Sequence, residues 1–330
     1  MLLIMGVPKI SGGYIQILKI SVVLVIFVLS FLAGNLYQQR QQLREEKHLV
    51  ERNGQYDLLA RRILIDNPSE IAIDFRVLQT SLETYIAQNS LLNSASLYFE
   101  YLPTGSSIGL NEDKVQVGAS LLKLPLSIAV FKAVEQGKVR LDDTYPLKKE
   151  WLNNGYGDLY KRGEGYRLSV REALSYALSK SDNTSALMLF DIVAKAQGTD
   201  RPNLLGFIDA NYKESNTHEV LIDSRSYSSI LKCLYFSCFL NKDHSQETLK
   251  YLANSESHER LELYMPTTHA PVAHKIGVFN EQTQSDCGIV YVPKRNYVLC
   301  IMVDGKDPQA SKEIGRLSEI VYNYVSKIDN

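Results

Sequence analysis

Ser120 and Lys123 stand three residues apart in an apolar stretch that opens near Val117 and closes at Gly137. On a helix that spacing puts both on one face, a turn apart. A serine hydroxyl is a weak nucleophile until a base takes its proton. A lysine desolvated beside it can be that base, because burial lowers an ammonium pKa. The pattern is short, and Ser229 and Lys232 repeat it. Two later stretches bear on the choice between these pairs. Ser181-Asp182-Asn183 lies between two helical runs, where such a triplet also serves as a helix N-cap. Lys275-Ile276-Gly277 lies in the strand-like run Val272–Phe279, and Lys161-Arg162-Gly163 shares its Lys-x-Gly spacing.

The surrounding pattern supplies elements to hold these groups. An amphipathic helix over 71–87 carries Phe75, Leu78, Leu82, Tyr85 and Ile86 at helical spacing. Two strands follow, Ser96–Leu102 and Ser107–Asn111, joined by the turn Pro103-Thr104-Gly105-Ser106. Ser169 and Glu172 form a capping box that opens a helix to about Ser179, and 186–193 is an apolar run. A helix is expected over Ser226–Tyr235. A hairpin is expected over Val290–Leu299 with its turn near Lys294. A final amphipathic helix carries Ile314, Leu317, Ile320, Val321, Tyr324 and Val325.

The 330 residues suffice for one catalytic domain plus extra segments, and 45% hydrophobic content fits a packed core. A net charge of −1 gives no electrostatic case for nucleic acid as a partner. The six histidines and four cysteines show neither His-Glu-x-x-His nor Cys-x-x-Cys spacing, so no metal or other cofactor is expected. Ile20–Gly34 is an apolar run of about fifteen residues, which flanking Ile17, Leu18, Leu36 and Tyr37 extend toward the roughly 20 of a spanning helix. An uncleaved signal anchor over 1–37 is expected rather than a cleaved peptide, because Phe31 or Leu32 near the cut suits a small-residue cleavage site poorly. Lys9 and Lys19 precede the run, while Arg40, Arg44, Lys47 and Arg52 follow it. A literal charge count would place the rest of the chain in the cytoplasm, against the location that the resemblance drawn below implies. Residues 38–70, rich in Gln, Arg and Glu, read as a solvated, charged stalk. The catalytic domain is expected over 71–330.

Taken together, Ser-x-x-Lys at a helix start, Ser-Asp-Asn at a helix junction and Lys-x-Gly on a strand, in this order, resemble the active-site serine penicillin-recognising enzymes: the class A β-lactamase and D-alanyl-D-alanine peptidase superfamily. Pro125, the run Gly137–Asp143 and Ser285–Tyr291 after the third motif support the resemblance, which covers about 75–328. It implies an α/β fold of α+β type. An antiparallel five-stranded sheet built from both chain ends is flanked by helices, with an all-helical lobe over about 115–255 and the site between. It also implies roles. Ser120 is the nucleophile, Lys123 its base, and Ser181 passes a proton to the departing nitrogen. Asn183 binds the substrate amide, and Lys275 attracts a substrate carboxylate. The backbone N–H groups of Ser120 and Val278, just after Gly277, make the oxyanion hole.

Two departures stand out. Ile276 occupies the place of a family Thr or Ser, so a hydroxyl that grips the substrate carboxylate is missing, and Ser285 sits near the place of the family's arginine. The class A loop glutamate that activates the deacylating water has its nearest match in Glu219-Val-Leu-Ile-Asp223, in a short region between 197 and 225. A strand or loop before the next helix is the alternative reading there. The resemblance implies a β-lactamase-like serine hydrolase. Close alternatives are a D-alanyl-D-alanine carboxypeptidase or penicillin-binding protein, and a weakened cell-wall sensor. The partner is a β-lactam or a peptidoglycan stem peptide. The place is the bacterial cell membrane, single-pass, with the domain extracytoplasmic. Cys287 and Cys300 fall opposite each other on the hairpin register, as a disulfide or as core thiols. Cys233 and Cys238 are expected in a core helix.

Overall fold

The computed structural model describes residues 56–60, 73–206, 212–214, 219–266, 268, 270–280 and 282–328, with four separate helical positions at 30, 34, 35 and 38. The chain divides into two units, 1–57 and 58–330. The expected anchor and most of the stalk lie outside the described residues. Among the described residues no helix is long and apolar enough to cross a membrane.

In chain order the second unit contains α1 (Arg76–Gln88), β1 (Ala95–Tyr101), β2 (Ser106–Leu110), β3 (Gln116–Val117), a 3-10 turn (Ala119–Leu122) and α2 (Lys123–Glu135). There follow β4 (Thr144–Pro146), β5 (Arg167–Ser169), α3 (Val170–Ser179), α4 (Asn183–Gln197), β6 (Tyr212–Glu214), β7 (Val220–Ile222), α5 (Ser224–Tyr235) and α6 (Lys242–Ala253). It ends with β8 (Val272–Phe279), β9 (Thr283–Val290), β10 (Tyr297–Asp304) and α7 (Gln309–Val325). The main sheet is antiparallel, with order β2-β1-β10-β9-β8, so strands from both ends of the chain are neighbours and β8 lies at an edge. Helices α1 and α7 cover one face through Leu78, Leu82, Ile314, Leu317 and Val321, packed on Leu97, Phe99, Leu299 and Ile301. The helical lobe lies between β2 and β8 in sequence and carries two small sheets of its own, β3-β7-β6 and β4-β5.

Several local signals act as their chemistry requires. Ser169 accepts from the Glu172 N–H while Glu172 accepts from Ser169, which starts α3. Asp182 caps α4, accepting from the Ser185 N–H at 2.8 Å. The β9–β10 hairpin turns at Lys294, whose φ is +63°. Cys287 and Cys300 are register partners on β9 and β10 and are joined by a disulfide.

Three expectations change. The Ser120 segment is not yet α-helix: a 3-10 turn holds Ala119–Leu122, and the α-helix begins at Lys123. In 3-10 geometry residues i and i+3 eclipse, which sets Lys123 directly over Ser120. Residues 58–60 are not solvated stalk. Leu58 and Leu59 are buried on the domain; the Leu58 N–H donates to Gln246 Oε1 (3.1 Å), Tyr291 Oη donates to the Leu58 carbonyl (2.9 Å), and the Ala60 N–H donates to the Tyr235 carbonyl (2.9 Å). Two adjacent leucines leave water once the backbone groups beside them find partners. Cys233 and Cys238 are not core residues either: Cys233 is half-buried in the last turn of α5, and Cys238 is exposed beyond it.

Candidate active site

Five polar side chains, of Ser120, Lys123, Ser181, Asn183 and Lys275, meet at one point. Lys123 Nζ, at the start of α2, donates to Ser120 Oγ at 3.1 Å. It also reaches Ser181 Oγ at 3.2 Å and Asn183 Oδ1 at 2.7 Å, and bonds the Ser181 carbonyl. From the edge strand β8, Lys275 Nζ donates to the same Ser181 Oγ at 2.8 Å and to the Ile276 carbonyl at 3.1 Å. The Ser181 hydroxyl therefore accepts from both lysines with its two lone pairs and keeps its hydrogen to give away.

Burial sets the charges. It pushes Lys123 down to about 8, with Asp182 partly opposing it. Lys275 is fully buried and pushed well below the ordinary lysine value, first by burial and then by the Lys123 charge; Asp286 opposes the shift. At neutral pH a fraction of order one tenth of Lys123 is the free amine that can accept the Ser120 proton.

The backbone is built around this contact. Ala119 (φ +44°) and Ser181 (φ +52°) both hold left-handed conformations without being glycine, and each lies in or beside the hydrogen-bonded cluster. Gly118 donates to the Val220 carbonyl at 2.9 Å, tying the serine segment to β7. Tyr227 of α5, fully buried, donates from Oη to the Leu121 carbonyl at 3.0 Å. Gly277 is a close approach: a Cβ there would lie 2.3 Å from Ser285 Oγ, 3.0 Å from Leu121 Cγ and 3.1 Å from the Gly118 carbonyl. Any side chain would push β8 away from the Ser120 turn.

Sequence reasoning missed a loop that wraps the second motif. Asn183 Nδ2 donates to Asn153 Oδ1 (3.1 Å), the Asn183 N–H donates to the Tyr156 carbonyl (3.0 Å), and the Leu159 N–H donates to Asp182 Oδ2 (3.0 Å). Gly157 (φ +86°) passes so close to Asp182 that a Cβ would sit 2.2 Å from Oδ2. Tyr156 stands 40% exposed at the rim. The Asn153-Asn154-Gly155-Tyr156-Gly157 run was the available signal.

The remaining residues divide. Val278, 38% exposed, follows Gly277 along the edge strand, where its backbone flanks the serine turn. Glu219 lines a cavity of about 750 Å³ with Ala119, Leu122, Phe190, Arg201 and Phe279. Continuing the β3–β7 ladder from Val117↔Leu221 sets Glu219 opposite Ala119, next to the nucleophile. Asp223 does not complete the loop pattern. It is buried and caps α5, one oxygen accepting from the Ser226 N–H (2.6 Å) and the other from Ser226 Oγ (3.1 Å). Ile276 is 2% exposed, and strand alternation puts it opposite Lys275 and Gly277, in register with Asp286. Ser285, buried, donates to the Gly277 carbonyl at 3.3 Å. The rival pairs are ordinary structure: Lys232 forms an ion pair with Glu100 at 3.0 Å, Ser229 bonds back to the Arg225 carbonyl (3.2 Å), and Lys161 lies in a 3-10 turn.

A mixed sheet-and-helix fold with a serine, two buried lysines and a bridging serine defines an acyl-transferring serine hydrolase. The family model described as the β-lactamase enzyme family matches residues 78–325. The chain belongs to that family. Among solved structures it is similar to the acyl-enzyme complex of a PBP-A mutant with penicillin G, at 22% identity over 76% of this chain and 97% of that one, with a TM-score of 0.68. It is also similar to TLA-3 extended-spectrum β-lactamase, at 18% identity over 77% of this chain and 100% of that one, with a TM-score of 0.69. A β-lactamase from Chitinophaga pinensis gives 22% identity over 76% and 99%, with a TM-score of 0.65. At these identities the likeness establishes the fold. Extended-spectrum β-lactamase PER-1 of Pseudomonas aeruginosa is 32% identical over 77 residues, which span 22% of this chain and 25% of that protein.

Proposed function

We propose that the protein is a β-lactamase of the class A type. Ser120 Oγ attacks the lactam carbonyl as Lys123 takes its proton. The negative charge that develops on the carbonyl oxygen is met by the Ser120 and Val278 backbone N–H groups. Ser181 delivers its proton to the departing lactam nitrogen and is recharged through Lys123. Lys275 holds Ser181 and supplies the positive field for the substrate carboxylate, and Asn183 binds the side-chain amide. Water activated by Glu219 then cleaves the ester and frees Ser120. The observation that carries this reading is the continuous chain Ser120–Lys123–Ser181–Lys275, with every link at hydrogen-bond distance. The reading places the domain outside the cytoplasm, held at a bacterial membrane by the N-terminal apolar run.

A second reading, a D-alanyl-D-alanine carboxypeptidase or penicillin-binding protein acting on a peptidoglycan stem peptide, is favoured by one observation. Asp223, which stands where the class A pattern has its asparagine, is committed to capping α5. A wall-associated sensor is the same case with acylation but no release.

The test is intact mass after mixing with penicillin, followed over time, beside nitrocefin turnover. The lactamase reading expects a Ser120 adduct that appears and leaves, with steady turnover. It also expects the adduct to persist in Glu219→Gln. A single burst and a lasting adduct on the unmodified protein would establish the second reading instead.

A further inference from the structure

Cys233 in the last turn of α5 and Cys238 just beyond the helix are two cysteines that the acyl-transfer chemistry does not use. The helix ends in a Schellman motif. The Ser237 N–H donates to the Leu234 carbonyl at 3.1 Å, the Cys238 N–H donates to the Cys233 carbonyl at 2.8 Å, and Ser237 adopts φ +56°. That geometry brings together the side chains at the third helical position from the end and the second position beyond the cap, where an apolar contact is usual. In this chain both positions are cysteines, so the motif sets the two thiols beside each other.

Their surroundings differ. Cys233 is half-buried; burial first, then the neighbouring Cys238 thiol, pushes its thiol up to about 12, against weaker pulls from the Cys238 backbone N–H and Lys132. Cys238 is exposed. A cavity of about 650 Å³ opens beside both, walled by Leu102, Phe236 and Phe239 and by the Glu100–Lys232 ion pair. The other two cysteines are already bridged and fully buried. An incoming reagent therefore meets Cys238 first, with Cys233 behind it.

We propose that Cys233 and Cys238 form an oxidation site that closes to a second disulfide on reaction with a low-molecular-weight disulfide. The Cys238 thiolate attacks one sulfur of the reagent, forming a mixed disulfide and releasing one thiolate. Cys233 then loses its proton and attacks Cys238 Sγ, which breaks the mixed disulfide and releases the second thiolate. The protein loses two electrons and two protons, and the reagent is reduced to two thiols.

The test uses the full chain, treated with reductant, desalted and exposed to glutathione disulfide. Thiol titration, intact mass and peptide mapping are followed over time. The expected product is two hydrogens lighter than the reduced pair, with one cross-linked peptide joining Cys233 to Cys238, distinct from the Cys287–Cys300 peptide. Cys233→Ser is expected to stop at a stable glutathione adduct on Cys238. Cys238→Ser is expected to react at least tenfold more slowly, because the remaining thiol is partly covered and rarely ionised. A lasting adduct on the unmodified protein, equal rates for the two variants, or no loss of either thiol would overturn the assignment.

Discussion

On the proposed function, the lowered value of Lys123 predicts that acylation of Ser120 depends strongly on pH. Burial lowers Lys123 from 10.5 to about 8, and only its free amine can take the Ser120 proton. For a single group at about 8, the free-amine fraction is roughly one hundredth at pH 6 and one half at pH 8, so acylation should rise roughly 50-fold across that interval and less than about twofold from pH 8 to 9. The same group affects stability. Its folded value lies below its unfolded one, so the unfolded chain binds more protons between the two. Folding is penalised by the buried ammonium at pH below about 8, and stability rises with pH through the window from about 8 to 10.5. The shift corresponds to about 3 kcal/mol at 1.36 kcal/mol per unit. The assay is the single-turnover rate of Ser120 labelling by a fluorescent penicillin from pH 5.5 to 9.5, with urea denaturation at pH 7.5 and 9.5. A flat rate profile, or a midpoint near an exposed lysine's, would refute the desolvated-base argument. Lys123→Arg should lose acylation at every pH, because a guanidinium does not release its proton.

Other substitutions test other links. Gly277→Ala should leave the fold intact but slow acylation on the order of 100-fold, since backbone at the Gly118 carbonyl cannot yield as the Ser285 hydroxyl can; an unchanged labelling rate counts against the close-approach argument. Leu59→Asp should cost about 2–5 kcal/mol in denaturant unfolding, with the labelling rate unaffected, because residues 58–60 dock on the domain away from Ser120; equal stability would mean the segment is not bound in solution. His274, fully buried, is opposed by burial but raised above its ordinary value by Asp286, 2.8 Å away. Its contribution to stability is therefore fully present below pH 6.5 and fades as pH rises through its folded value; Asp286→Asn should flatten that slope above pH 6.5, as read by denaturant midpoints.

Much of the fold was legible because it rests on short-range rules. The Ser169/Glu172 box, the Asp182 cap, the turn at Lys294 and the apolar periodicity of α1 and α7 are each determined within a few residues. The motif order also selected Ser120 and Lys123 over Ser229 and Lys232. Long-range placement decided the rest. That Lys275 reaches Ser181, 94 residues away, and not solvent, depends on β8 lying at the sheet edge against the serine turn, a close approach that the missing Cβ at Gly277 permits. Asp223 matched a catalytic spacing yet is used up as a cap, since a buried carboxylate goes where unpaired N–H groups are. Leu58 and Leu59 read as stalk because their partners, Gln246, Tyr235 and Tyr291, come from distant segments. The sequence by itself determined which groups can do chemistry and which elements carry them. The tertiary structure decided their protonation, because desolvation is a property of the packed site and of no single stretch of chain.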